Sequence, residues 1–319
     1  MKQLIFILVF LLSPVLVVGQ DYDYPDIKRD TTFKPYVHFD KESGNYVIGY
    51  MRDAETGKVY ETLYVPPTKI KPIFNAKTTK EGNLYTYNYK LINSKESRQD
   101  ISSFEFEIKG AIRKIDLPEP WFRMGNSFMH RVLEKVEYNE NEPIEFKSDL
   151  QIGDTLNFRF RSSYPPAIIN SYVTGTPKRL DFSYVLPPTR KVRILADSLR
   201  KIDSDRGVKL KTISLQAPSS PFDELSFFNK RINVLSEVIE LKWINDEEFI
   251  RELRNQLSLT RKFLLKNERD KASQSLQWIV KMVNKEYRDQ DHEKDLTSEG
   301  YSLFYYNAEY LLERLKKDE

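Results

Sequence analysis

Ala217-Pro218-Ser219-Ser220-Pro221 is the stretch on which the reading of this chain turns. Two prolines bracket two serines there, and the apolar period changes from two to 3.6 across it. The segment 218–222 therefore reads as a linker between a β region over 36–217 and a helical region over 223–319.

On the upstream side the bulky residues alternate. Tyr85, Tyr87, Tyr89 and Leu91 are interleaved with Thr86, Asn88 and Lys90, which puts the large side chains on one face of a pleated strand. Phe104, Phe106 and Ile108 repeat the pattern, as do Leu156, Phe158 and Phe160. Turn signals such as Glu81-Gly82-Asn83, Ile152-Gly153-Asp154 and Tyr164-Pro165-Pro166 separate these runs. Short strands with one apolar face each predict an antiparallel β-sandwich.

On the downstream side the spacing is helical. Leu225, Phe228, Ile232, Leu235, Ile239 and Trp243 form the apolar stripe of one predicted helix. Asn245 is placed to cap a second helix, with Glu248 three residues on and a stripe of Phe249, Leu253, Leu257, Thr260 and Leu264. A third carries Ala272, Leu276, Ile279, Val280 and Val283; a fourth follows Thr297 with Tyr301, Phe304, Ala308, Leu311 and Leu315. The expected fold class is α+β, an antiparallel β-sandwich followed by a C-terminal helical bundle.

Two resemblances accompany this reading. The run Tyr87 to Asn93, then Gln99-Asp100-Ile101, Trp121 and Ile152 to Phe158, resembles a β-sandwich of uncharacterised exported bacterial proteins, which brings no known active residues. From Ile244 to Leu315 the chain resembles the FIMAH domain, carried by Leu253, Leu257, Leu264, Ala272, Leu276, Val280 and Val283, then Leu296, Tyr301 and Asn307-Ala308-Glu309-Tyr310-Leu311. The charged loop Arg288 to Asp295 departs from that pattern. The resemblance implies an accessory, non-catalytic role in a secreted protein.

The N-terminus fits that compartment. Lys2 precedes an apolar stretch from Leu4 to Val18, shorter than the about 20 residues a bilayer core needs, and Gly19 supplies a small residue at a cleavage position. A signal peptide over 1–19, cut between Gly19 and Gln20, is expected, with 20–35 as an N-terminal linker and no membrane anchor after cleavage. The chain has no cysteine, so lipidation at an N-terminal Cys, disulfides and thiolate metal sites are excluded. Periplasmic or extracellular location in a bacterium is the expectation.

Composition limits the partners. Lys+Arg 50 against Asp+Glu 47 gives a net charge of +3, too little field to predict nucleic acid as a partner. Arg190-Lys191-Val192-Arg193 reads as the solvent side of a strand rather than a polyanion site. The three histidines, His38, His130 and His292, are far apart and none sits in a His-Glu-x-x-His motif. His130 and Glu134 would share a helix face, but the surrounding residues read as strand. No Gly-x-Ser-x-Gly elbow or phosphate-cradling glycine loop is present, and no cofactor or metal is called for.

Two routes to function stay open. Trp121, in Pro118-Glu119-Pro120-Trp121-Phe122, and Tyr164 and Tyr172 flank loops and are the candidate ligand-binding residues, for a glycan or protein partner. Asp116, Glu119, Asp149 and Asp154 lie near predicted turns and could supply the carboxylate pair of a hydrolase acting on an extracellular polymer. The first reading, a non-catalytic exported binding or interaction protein, is the favoured one.

Overall fold

The computed structural model describes residues 28–108, 110–119, 121–124, 127–130, 149–176, 207–288 and 295–317. Antiparallel strands occupy the chain up to Leu215 and helices follow from Glu224, the α+β order that the change of period predicts. The described residues form two compact units, the first ending at Pro66 and the second beginning at Pro67. The expected β region thus divides at Pro66, and the segment 218–222 lies within the second unit.

The first unit holds β1 (Tyr36–Asp40), β2 (Asn45–Arg52) and β3 (Val59–Tyr64) in that order. Tyr36 faces Gly49, which faces Glu61. The Tyr36 ring lies across Gly49, where a Cβ would come within 2.4 Å of it, and its hydroxyl donates to Glu61. Only glycine leaves that path across the sheet open.

The second unit contains two further sheets. One runs β4 (Pro72–Glu81), β5 (Leu84–Asn93), β10 (Thr155–Ser162), β7 (Lys114–Asp116). The other runs β12 (Val208–Leu215), β11 (Pro166–Gly175), β6 (Ile101–Phe106), β9 (Ser127–His130), β8 (Trp121–Met124). The alternating residues of the sequence fill the space between them: Tyr87, Tyr89, Leu91, Phe104, Phe106, Phe158 and Phe160 are all buried. Phe158 stacks on Tyr89 at 4.9 Å and on Phe104 at 4.9 Å, while Phe74 meets Phe106 edge-on at 5.4 Å and 86°. Such offset and edge contacts add about 0.5–1.5 kcal/mol each beyond the area they bury. The polar ends are satisfied: the Tyr87 hydroxyl donates to the Tyr164 carbonyl at 2.6 Å, and that of Tyr89 to Ser214 Oγ at 2.8 Å.

Five helices follow among the described residues: α1 (Glu224–Arg231), α2 (Leu235–Glu240), α3 (Glu247–Leu265), α4 (Arg269–Arg288) and α5 (Ser298–Lys317). The stripe from Leu225 to Trp243 is not borne by one helix: Leu225 and Phe228 lie in α1, Leu235 and Ile239 in α2, Ile232 caps the end of α1, and Trp243 follows α2. The Asn233 N–H reaches back to the Phe228 carbonyl at 2.9 Å, which also takes the Ile232 N–H, and this closes α1. Asp246, not Asn245, caps α3, its carboxylate accepting from the Phe249 N–H. Thr297 caps α5 as expected, accepting from the Gly300 N–H at 3.3 Å. Phe249, Leu253, Leu257 and Thr260 of α3 and Ala272, Leu276, Ile279 and Val283 of α4 are buried as the 3.6 period predicts. Between these two helices Gln256 donates to Ser275 Oγ at 2.7 Å, so the seam is fixed in register by polar as well as apolar contacts.

The helices do not form a free-standing bundle. One continuous core of buried side chains runs from Tyr87 and Phe106 through Phe228 and Leu276 to Phe304 and Leu311. α5 lies along β4, an edge strand whose outward N–H groups would otherwise be left without partners. Glu299 accepts from the Ala76 N–H at 2.6 Å, Ser302 from the Thr78 N–H at 3.0 Å, and the Tyr306 hydroxyl from the Lys80 N–H. Positions at helical spacing on α5 therefore match alternate residues of the strand. Ser298 Oγ donates to the Ala76 carbonyl at 2.9 Å, and Asn307 to the Pro166 carbonyl at 2.9 Å.

Candidate functional site

The three aromatic residues singled out by sequence do not converge. Trp121 opens β8, is 9% exposed, and its ring tilts against Phe104 at 5.4 Å, so its faces are engaged in the core. Tyr164 is half-buried in the turn before β11, and its ring occupies the space over Gly110, where a Cβ would lie 2.8 Å from it. Tyr172 lies six residues into β11, roughly 20 Å beyond Pro166. Its hydroxyl donates to one Glu107 oxygen at 2.8 Å while Asn170 donates to the other at 2.7 Å. Tyr172 thus serves to orient a carboxylate on the outer face of its sheet.

The four candidate acids separate into two groups. Asp116, on β7, is bound by the Arg159 guanidinium and by Lys114, which hold its carboxyl below the usual carboxylate range. Glu119 is exposed nearby in the chain. Asp149 and Asp154 instead lie close to Asp100, a residue that sequence did not single out. Burial, with Asp149 and Asp154 adding like charge, pushes the Asp100 carboxyl up. One Asp100 oxygen accepts from the Ile152 N–H at 3.1 Å, and Asp149 accepts from the Thr176 hydroxyl. These contacts tie the 149–154 loop to the chain entering β6. No group of three or more side chains that could hold a metal ion occurs among the described residues.

A third feature comes from α4. Its buried stripe of Ala272, Leu276, Ile279 and Val283 leaves the opposite face to solvent, and Gln274, Gln277, Trp278, Lys281, Lys285 and Arg288 occupy it, all exposed. Trp278 is 42% exposed, whereas Trp121 is 9% and Trp243 8% exposed. Lys281, Asn284, Lys285 and Arg288 line an open depression of about 450 Å³. None of the three cations is ion-paired with another described residue. Lys281 and Lys285 stand one turn apart, an arrangement of like charges that costs a helix about 0.2–0.5 kcal/mol. Sequence did carry the signal: Trp278 falls on the far side from Leu276, Ile279 and Val283 in any helix with that stripe.

Chemically, these three places differ. Asn170 and Tyr172 position one carboxylate at Glu107, the Asp100 cluster brings three carboxyls near one another, and α4 offers a flat aromatic ring beside three cations and two amides. Residues Gly19 and Gln20, the expected cleavage point, and the basic run Arg190 to Arg193 lie outside the described residues. Of the pair His130 and Glu134, the first ends β9 and the second lies outside them. Among the described residues no helix is long and apolar enough to cross a membrane. No protein-family model matches this chain, and comparison with curated proteins yields no match either.

Proposed function

We propose that this chain is an exported, non-catalytic binding protein in which the sandwich is a scaffold and the helical region, FIMAH-like in sequence, presents the contact surface. The observation that carries the reading is the outer face of α4, where Trp278 remains exposed beside Lys281, Lys285 and Arg288. With 42% of its surface exposed, Trp278 forgoes part of the burial free energy of a large ring, and ligand contact is the use that offsets it. The N-terminal segment with Lys2, the apolar run to Val18 and Gly19 supports export.

The test is retention of the chain starting at Gln20 on immobilised polysaccharides and proteins, with release of reducing ends from the same polysaccharides measured in parallel. Retention without product is the expected result. Product formation would contradict the non-catalytic reading, and a cellular protein that still begins at Met1 would contradict export.

A hydrolase is the second reading, and the Asp100 cluster is the specific observation that favours it. Neighbouring carboxyls are what an acid and base pair uses, and Asp100 stands beside Asp149 and Asp154. Under that reading Asp100→Asn and Asp149→Asn each abolish polymer cleavage; a parent chain that cleaves nothing removes it.

A further inference from the structure

We infer that the outer face of α4 is a binding site for an acidic polysaccharide, one carrying uronate or sulfate groups. The inference rests on the binding reading above and names the ligand class for that surface. Lys281, Lys285 and Arg288 fall at i, i+4 and i+7, so their charges are strung over about 10 Å along one side of the helix. Trp278 precedes them by one turn on the same side, and Gln274 and Gln277 extend the face with amide donors and acceptors. Glu286 falls on another side of the helix, while the exposed Asp270 shares this face one turn before Gln274, at the end away from the three cations.

The helix is a rigid mount. Its inner face is buried against α3 and α5, with Leu276, Ile279 and Val283 fully covered, so the spacing of the cations is fixed by the backbone before the ligand arrives. Lys281, Asn284, Lys285 and Arg288 line one open depression of about 450 Å³, which leaves the three cations accessible from solvent.

Charge complementarity selects an anion, and the aromatic content selects the kind. Single-stranded nucleic acid is held by a succession of aromatic platforms, each stacking one base, with a basic groove tracking the backbone. This face has one platform, and the chain's net charge of +3 supplies no wider field for duplex phosphates. One ring suits one pyranose face, and three cations in a short row suit the charged groups of the next few sugars. Lys rather than Arg at two of the three positions fits point contact with separated carboxylates or sulfates, without bidentate geometry.

A second basic depression, of about 360 Å³, is lined by Asn233, Ser258, Arg261, Lys262, Leu265 and Lys266 at the end of α3. It lacks an exposed aromatic ring, and its Arg261 is held by Asn229 at 3.3 Å, which makes it the control for unspecific charge attraction.

The experiment is affinity electrophoresis and biosensor binding of the chain starting at Gln20 to polygalacturonate, alginate and a sulfated galactan. Neutral xylan and mixed-linkage glucan, and single-stranded DNA, serve as comparisons. Three variants accompany the parent: Trp278→Ala, Lys281→Glu with Lys285→Glu, and Lys262→Glu with Lys266→Glu. All the altered residues are exposed, and circular dichroism and melting establish that each variant is folded. At least one acidic polysaccharide is expected to bind. The Lys281/Lys285 pair should weaken it tenfold or more, Trp278→Ala several-fold, and the Lys262/Lys266 pair less than twofold. Binding by the parent should fall with added salt. Failure on every acidic polysaccharide, tighter binding to the DNA, or equal loss in both charge-reversed variants overturns the inference. Binding to a neutral glycan that ignores all three variants overturns the inference and leaves the binding-protein reading intact.

Discussion

The Glu299 carboxylate accepts a hydrogen bond from the Ala76 N–H at 2.6 Å, although 223 residues separate the two. Glu299 is buried, and Ser302 and Tyr306 continue the same seam at Thr78 and Lys80. An exposed edge strand invites pairing with another chain, and here a helix takes that place. The helical part is therefore not a module appended to the sandwich by a linker but the cover of its β4 edge.

Removing either acceptor should leave a buried N–H without a partner, a loss of about 1–3 kcal/mol. Glu299→Ala and Ser302→Ala should each lower the unfolding free energy by that amount, seen as a lower urea midpoint at unchanged slope, with Glu299→Gln less severe because an acceptor remains. Chemical denaturation followed by circular dichroism measures it; unchanged midpoints for both alanine variants would show that the seam contributes nothing.

Arg231 carries a second prediction. Its side chain is buried, and its guanidinium donates to the carbonyls of Pro166, Gln216 and Ala217 at 3.3, 3.0 and 3.3 Å. Burial pushes its ionisation down to about 10, so the charge is held chiefly by carbonyl dipoles. Arg231→Ala should cost about 2–4 kcal/mol, from the Gln216 and Ala217 carbonyls left without this donor, a weaker hold on Pro166, which keeps Asn307, and lost packing on Phe227. Arg231→Lys should recover only part of this, since an ammonium cannot span the three carbonyls as a planar fork does. Thermal melts of the two variants give the comparison.

The buried tyrosines set the alkaline limit. Burial is the main cause that raises Tyr85, Tyr87, Tyr89 and Tyr301, and it pushes Tyr306 up to about 12. In the unfolded chain these groups ionise near about 10. Above that pH the folded state binds more protons than the unfolded one, so their contribution is intact below about 10 and falls as pH rises beyond it. Stability in urea should be nearly level from about pH 8 to 9.5 and drop steeply from about 10 to 12, with tyrosinate absorbance appearing together with unfolding. Tyrosinate appearing in full while the helices persist would contradict it.

Gly207 supports a fourth. It adopts φ +86°, and a Cβ there would lie 2.3 Å from the Val173 carbonyl oxygen, where β12 begins beside β11. Gly207→Ala should destabilise by about 1–3 kcal/mol through strain and displacement of that strand start. A melting temperature equal to that of the parent would show that the turn relaxes freely.

Much of the fold is legible in the sequence because burial imposes a period on each element. Tyr85 to Leu91 and Leu253 to Leu276 show their inner faces directly. What pattern does not reveal is which elements share a core. The prolines at 218 and 221 mark a turn with a change of period, and a turn is equally compatible with two modules or with a helix folding back on a sheet edge. The clue to the second outcome is the small and polar face of α5: Glu299, Ser302 and Asn307 are buried and Ser298 is half-buried. In a free helix they would read as solvent-facing. The candidate site was less legible for a related reason. Trp121 stands among prolines and reads as a loop tip, but it pairs with His130 in a strand and turns inward. Trp278 is not among the apolar stripe of Leu276, Ile279 and Val283, and its angular position carries it outward.

The most direct test of the account is amide hydrogen exchange at Ala76 and Thr78 compared with the amides of α5. If the helix is the cover of the strand, these edge N–H groups and the central amides of α5 open together, with one free energy, and Glu299→Ala lowers both. Exchange of α5 through an opening that leaves Ala76 and Thr78 fully protected would contradict a single cooperative unit and return the helices to the status of a separate module.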